Sequence, residues 1–346
     1  MPEEIAAVGQ ASTAAPSRSA PSEQENLSGA ALVSAPDFFI IGAPRAGSTA
    51  LHEALAAHPE VHMSRIMEPK FFLSDGRPAG LKGPGDSQDA GEWIWRPQDY
   101  EKLFRAAGEF VLTGESTPLY LWSRDAQRRI AAANPSAKLV AVIRDPVERA
   151  YSNWTYLWCD GLEPEANFLA ACEAEERRIA AGWAPFWRYV QLGLYGEQLQ
   201  HLLGLFAKDQ VLVLRYRDLV DQPALTLDRI CKFLGIAEGV LSKIEPSKVS
   251  HWVEPTVLNR ALQRTIRAGI SVGAHLPPRV WRTASQPLLS VLQRGNNPRP
   301  PLDPEHRLVL VERFRDDLGL LSEITGESYD DWLGPVGRGA YSTRKL

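Results

Sequence analysis

The feature that most constrains this chain is residues 37–55, DFFIIGAPRAGSTALHEAL. Phe38-Phe39-Ile40-Ile41 is a continuous apolar run between Pro36 and Gly42, the pattern of a strand buried on both faces. Leu51 and Leu55 share one face of the helix expected after it. Between strand and helix lies Gly42-Ala43-Pro44-Arg45-Ala46-Gly47-Ser48-Thr49. Strand, glycine-containing loop and helix make an anion cradle: loop amides and the positive end of the helix dipole converge on one point. Gly42, Gly47 and Thr49 fit the nucleotide triphosphatase spacing GxxxxGK[ST]. Ser48 stands at the lysine position, and the basic group is Arg45, inside the loop. Taken alone, the loop also suits an ordinary strand–turn–helix.

The rest of the chain alternates. Strands are expected over 110–114, Lys138–Ile143 and 210–216, with a possible short one at Val61–Met63. Helices are expected over 47–57, 98–107, 123–133, 146–158, 165–181, 192–206, 223–234 and about 304–321. Residues 75–97 carry many Gly, Asp and Pro residues plus Trp93 and Trp95, the composition of a long binding loop or lid. This order predicts an α/β fold: a mostly parallel central sheet flanked by helices, in a single domain over 36–334. Residues 1–35 are rich in Ala, Ser, Pro and Glu and are expected to be a disordered tail, and 335–346 a loose one. A net charge of −4 gives no electrostatic case for nucleic acid. Cys159, Cys172 and Cys231 form neither a CxxC pair nor a Cys/His metal spacing, so free thiols in a reducing compartment are expected. With Glu3 and Glu4 where a signal peptide carries positive charge, the expected localisation is cytoplasmic.

Several polar groups sit where open α/β sheets collect ligands. Glu115-Ser116-Thr117-Pro118 follows the 110–114 strand. Arg144 follows Lys138–Ile143, with Ser152 about two helical turns further on. The pair suits a second anion, and a salt bridge from Arg144 to Asp145 or Glu148 suits the sequence equally. Glu68, in Met67-Glu68-Pro69-Lys70-Phe71-Phe72, is either a solvated loop carboxylate or a base held against an apolar wall, which would raise its pKa. From Pro255 to Leu302 there is no acid but there are seven arginines, Arg299 the last. Such a run is a solvated face, or a surface for an anionic acceptor, a nucleotide phosphate or a membrane.

Read in order, these motifs resemble the sulfotransferases that use 3′-phosphoadenosine-5′-phosphosulfate (PAPS), in particular the bacterial and Golgi-type carbohydrate and tyrosyl enzymes. The resemblance runs from about Phe38 to Trp332. It rests on the 44–49 loop, on His58-Pro59-Glu60-Val61 with Glu68-Pro69-Lys70-Phe71-Phe72, and on Glu115-Ser116-Thr117-Pro118 with Tyr120. Arg144-Asp145-Pro146 through Ser152, and Gly193-Leu194-Tyr195 through Asp218-Leu219, complete it. It implies a P-loop-like sheet, PAPS as sulfuryl donor, no metal, and in-line transfer to a hydroxyl or amine of a carbohydrate or natural-product acceptor. The amides of Ala46, Gly47, Ser48 and Thr49 would cradle the 5′-phosphate, and Arg45 would neutralise the bridging oxygen. Arg144 and Ser152 would hold the 3′-phosphate, and Glu68 would be the base. Lys70 and Ser116 would orient the acceptor, His62 is an alternative base, and Tyr195 a candidate for holding adenine. Ser116 stands where several glycosaminoglycan enzymes carry lysine, and Ala50 where cytosolic relatives stack an aromatic on adenine. A P-loop kinase or triphosphatase with Glu115 on Mg²⁺, or a nucleotide-binding protein without turnover, are the alternatives.

Overall fold

A computed structural model describes residues 35–78, 80–108, 111–245, 252–273, 287–292 and 298–334. All but Ala35 of the tail expected at 1–35, and the whole of the tail expected at 335–346, lie outside these residues, as do Phe110, Arg279, Arg282 and Arg294. Five strands, β1 Phe38–Gly42, β2 Val61–Met63, β3 Leu112–Ser116, β4 Lys138–Ile143 and β5 Val211–Arg215, form one sheet in the order β2-β3-β1-β4-β5. Every pairing is parallel. The helices that position the site are α1 Ser48–Ala56, α2 Asp86–Ala90, α3 Pro97–Glu101, α4 Arg124–Ala133, α5 Pro146–Cys159, α6 Phe168–Glu173, α7 Glu175–Ala180, α8 Tyr195–Leu203, α9 Tyr216–Asp221, α10 Pro223–Leu234 and α11 Val257–Gly273. A long C-terminal helix, Pro304–Thr325, follows.

The apolar runs are strands because both faces are covered. Phe38 to Ile41, and Leu139 to Ile143, are at most 1 % exposed, as parallel strands under helices must be. Several boundaries differ from the sequence reading. The second expected strand runs on through Ser116, because Glu115 and Ser116 pair with Phe39 and Ile40; the polar cluster lies inside the sheet, not beyond it. The helix expected over 165–181 divides at Ala174 into α6 and α7. Of 98–107 only α3 is regular α-helix, and the 75–97 loop contains α2.

The C-terminal helix packs against α5, α6 and α8. Leu310, Phe314, Leu318 and Leu321 recur on one buried face, each worth about 1.5–3 kcal/mol. Its Asp317 accepts the amides of Gly196 and Glu197, both at 2.9 Å, and so caps α8 from another part of the chain. Its Arg307 grips Asp145 at 2.7 and 3.2 Å and donates to the Trp332 carbonyl at 2.7 Å. Asp145 in turn caps α5 by accepting from Val147 and Glu148, a cap that favours helix starts. Arg307→Ala would leave Asp145 buried without its cation. We expect it to destabilise the protein by about 3–5 kcal/mol in urea unfolding; a loss under about 1 kcal/mol, the scale of an exposed pair, would show that the clamp is dispensable.

Candidate active site

The sheet order places a topological switch between β1 and β4: the connection from β1 leads toward β3 and β2, that from β4 toward β5. Open α/β sheets bind ligands at that crevice, beyond the carboxyl ends of the strands. Here it opens into a cleft of about 510 Å³.

On one side of the cleft is the loop after β1. Gly47 has a left-handed backbone (φ 89°) and heads α1 with no side-chain cap. The first-turn amides of Ser48, Thr49 and Ala50 have no intrahelical acceptor, and all three residues line the cleft. A side chain at Gly47 would also meet the Tyr216 ring at 3.1 Å. The Ala46 amide, expected in the cradle, instead donates to the Ala43 carbonyl at 3.1 Å. The loop's tight turn uses that group up. Arg45 is exposed in the cleft wall, 4.7 Å from the Tyr156 ring.

Next to the loop, Arg144 leaves the tip of β4 and donates to the Arg45 carbonyl at 3.3 Å. Its guanidinium lies 4.8 Å from the Tyr216 ring and 3.5 Å from Glu148. Arg299 approaches the same Glu148 carboxylate at 3.4 Å from the far end of the chain. Ser152, Thr155 and Tyr156 complete this wall from the i, i+3, i+4 face of α5. Two guanidiniums against one buried carboxylate leave a positive corner with a hydroxyl, suited to a phosphate.

Opposite stands Glu68. Phe71 stacks on Tyr100 at 4.2 Å, and Phe72 packs edge-on against Tyr100 and Tyr120. The two aromatics after the Glu-Pro-Lys are thus its anchor. The Glu68 amide donates to the Ser116 carbonyl at 3.0 Å. Its carboxylate keeps 37 % of the side chain exposed and lies 3.9 Å from Lys70. Desolvation in the wall raises its pKa, against the pull of Lys70 and Arg45. Lys70 is itself paired with Asp89 at 2.6 Å. Arg45, Glu68 and Lys70 are the non-glycine residues with left-handed backbone among those described, and all three line the cleft.

Three sequence-predicted site residues lie elsewhere. Tyr195 is fully buried and donates its hydroxyl to the Arg144 carbonyl at 2.9 Å; it braces the β4 tip from behind and presents no ring to the cleft. Ser116 is buried in β3 and bonded to His52 Nδ1 at 2.7 Å. His62 lies on edge strand β2, two strands from β1, bonded to the Leu103 carbonyl at 3.2 Å. Glu115 is no Mg²⁺ ligand in waiting: it is buried and accepts from the Tyr100 and Thr117 hydroxyls. Conversely, the sequence reading did not single out Tyr156, Tyr216 or Asp89. Tyr156 was findable, four residues after Ser152 on the same helical face.

The chain matches the sequence profile described as the Sulfotransferase family over residues 36–238. It belongs to that family. It is 31% identical over 217 residues to human heparan sulfate glucosamine 3-O-sulfotransferase 3B1, covering 63% of this chain and 50% of that protein. To mouse carbohydrate sulfotransferase 15 it is 26% identical over 257 residues, covering 60% and 45%. The chain thus spans about half the length of the curated relatives it matches. The fold is that of a sulfotransferase from Alicyclobacillus acidocaldarius: TM-score 0.67, 24% identity, 87% of this chain and 99% of that one.

Burial raises the Glu115 pKa from 4.5 to about 7. The folded state then holds a proton that the unfolded chain releases, so the contribution is full below about 4.5 and is lost as pH rises toward about 7. Glu115→Gln, permanently neutral there, should flatten this part of a melting temperature–pH profile. Parallel profiles for the two proteins would remove Glu115 as the cause.

Proposed function

We propose that this sulfotransferase-family protein moves a sulfuryl group from PAPS to a hydroxyl or amine of a carbohydrate or natural-product acceptor. One observation carries the reading. A single cleft joins an uncapped loop–helix cradle holding Arg45, an Arg144–Ser152–Arg299 corner, and the Glu68 carboxylate. A nucleotide with phosphates at both 5′ and 3′ positions fits the first two. A carbohydrate acceptor is suggested by the names of the relatives.

When bound, PAPS supplies an electrophilic sulfuryl group on a bisphosphate leaving group. The amides and hydroxyls of Ser48 and Thr49, with the Gly47 amide, hold the 5′ end. Arg45 neutralises the charge that grows on the bridging oxygen. Arg144, Ser152 and Arg299 hold the 3′-phosphate. Glu68 receives the acceptor's proton as the new bond to sulfur forms, and its raised pKa suits a base. Lys70, 3.9 Å away, stabilises the carboxylate in its ionised form. A reducing, cytoplasmic compartment is part of the proposal, supported by Cys159, Cys172 and Cys231, all buried and none in a disulfide. Surface contact with a membrane through the basic segment rests on Arg260 and Arg264, exposed on α11, whereas Arg267 is turned inward to the Gly161 and Glu163 carbonyls.

Glu68→Gln should retain adenosine 3′,5′-bisphosphate binding and lose about two orders of magnitude or more in turnover; unchanged turnover in a sulfate-transfer assay removes Glu68 as base. The bisphosphate should raise the melting temperature well above AMP, and Arg144→Ala should erase the difference. Equal shifts in the wild-type protein would refute the 3′-phosphate assignment.

A further inference from the structure

The wall facing the donor corner narrows the chemistry of the acceptor, on the sulfuryl-transfer reading above. Charge in the cleft is segregated. Among the described lining residues the cations are Arg45, Arg144, Arg299 and Lys70. The three arginines belong to the donor side. Lys70 is the cation of the acceptor side, and it is already engaged: 2.6 Å from Asp89, 3.9 Å from Glu68, and 5.6 Å from the Trp93 ring. Two carboxylates against one ammonium leave this side net negative. Asp86 adds no attraction for an anion, since it accepts from the Gly83 and Ala184 amides and from Trp187 Nε1, each at 2.7 Å. Its task is to hold the Trp187 wall in place. The remaining surface is apolar, contributed by Trp93, Leu119, Leu162, Pro185, Phe186 and Trp187. The volume of about 510 Å³ must also accommodate the nucleotide, so the acceptor's reacting end is compact.

We propose that the acceptor is a compact hydroxyl or amine compound with an apolar or aromatic face and no anionic group. Asp89 is a specificity-determining residue that turns anionic acceptors away. It acts twice: its own charge repels an anion, and it occupies the Lys70 ammonium that would otherwise attract one. Asp89 also accepts from Trp93 Nε1 at 2.8 Å, which fixes the apolar wall beside the base. In the transfer itself the acceptor O–H bond breaks and its oxygen bonds to sulfur. The sulfur–oxygen bond to the nucleotide opens, the proton passes to Glu68, and the electron pair leaves on the 5′-phosphate oxygen.

The test uses three phenols of similar size: para-ethylphenol (neutral), tyramine (cationic) and phloretate (anionic), with heparan sulfate as a polyanion. Binding to the bisphosphate-bound protein is measured by calorimetry, and transfer with labelled PAPS. The neutral and cationic phenols should outperform phloretate by about tenfold, the scale of one like-charge contact at a half-open site. Asp89→Asn should bring that ratio close to one, while the melting-temperature shift given by the bisphosphate stays at the wild-type value and shows the variant folded. Preference for phloretate or heparan sulfate, an unchanged ratio in the variant, or no binding of any phenol at millimolar concentration overturns the assignment. A failure of the bisphosphate to stabilise the wild-type protein would instead strike the donor reading.

Discussion

The β1–β4 ladder is the constraint on which the rest depends. Phe38, Phe39 and Ile40 pair with Lys138, Leu139 and Val140, and the register shifts before Gly42 meets Ala141. Two strands buried on both faces end side by side, and the chain leaves them in opposite directions. Backbone groups past the strand ends must still find partners. Thr117 donates to the Ile40 carbonyl at 3.1 Å and Leu121 to that of Ile41 at 2.7 Å. Gly42 is required there, since a Cβ would stand 2.6 Å from Leu121. The segment that closes the ladder is thus the segment whose Ser116 carbonyl holds Glu68. The loop after β1, the Arg144–Arg299 corner and the Glu68 wall are three outgrowths of one junction.

That junction carries strain. Left-handed backbone at Arg45, Glu68 and Lys70, with φ of 68°, 53° and 60°, costs about 1–3 kcal/mol per residue. Each is held by something independent. Arg144 grips the Arg45 carbonyl. The Ser116 carbonyl takes the Glu68 amide. Lys70 is fixed by Asp89 on one side and by the buried Phe71 and Phe72 on the other. The left-handed turns aim the three charged side chains into the cleft, and the surrounding core, not local propensity, keeps them there.

The sheet was legible in sequence because buried parallel strands are written as continuous apolar runs, and KLVAVI gives β4 to the residue. The cradle was legible because its glycine spacing is local. What lay beyond reach was the far partner of each local motif. Tyr195 sits in a motif that belongs to the site region, yet it is turned inward because its hydroxyl is needed by the Arg144 carbonyl. Ser116 and Glu115 read as a polar strand end, and are buried because His52, Tyr100 and Thr117 satisfy them. Arg299 was one arginine among seven. Nothing in periodicity says that it returns 151 residues to Glu148, since such a contact is decided by the packing of the C-terminal segment on α5.

A buried carboxylate in the cationic corner of the cleft is at first sight misplaced. Glu148, 6 % exposed between Arg144 and Arg299, resolves a physical problem instead. Two guanidiniums converging without a counterion would repel each other and splay into solvent. Shared by both, Glu148 keeps them in register, while Tyr216 and Tyr151 take one guanidinium each at 4.8 and 4.6 Å. The corner is left with about one net positive charge. On the proposed reading, affinity for a bisphosphate would come from the preset forks and the Ser152 hydroxyl more than from bulk charge. On the reading proposed above, such a corner would distinguish a 3′-phosphate from its absence and still release the spent nucleotide.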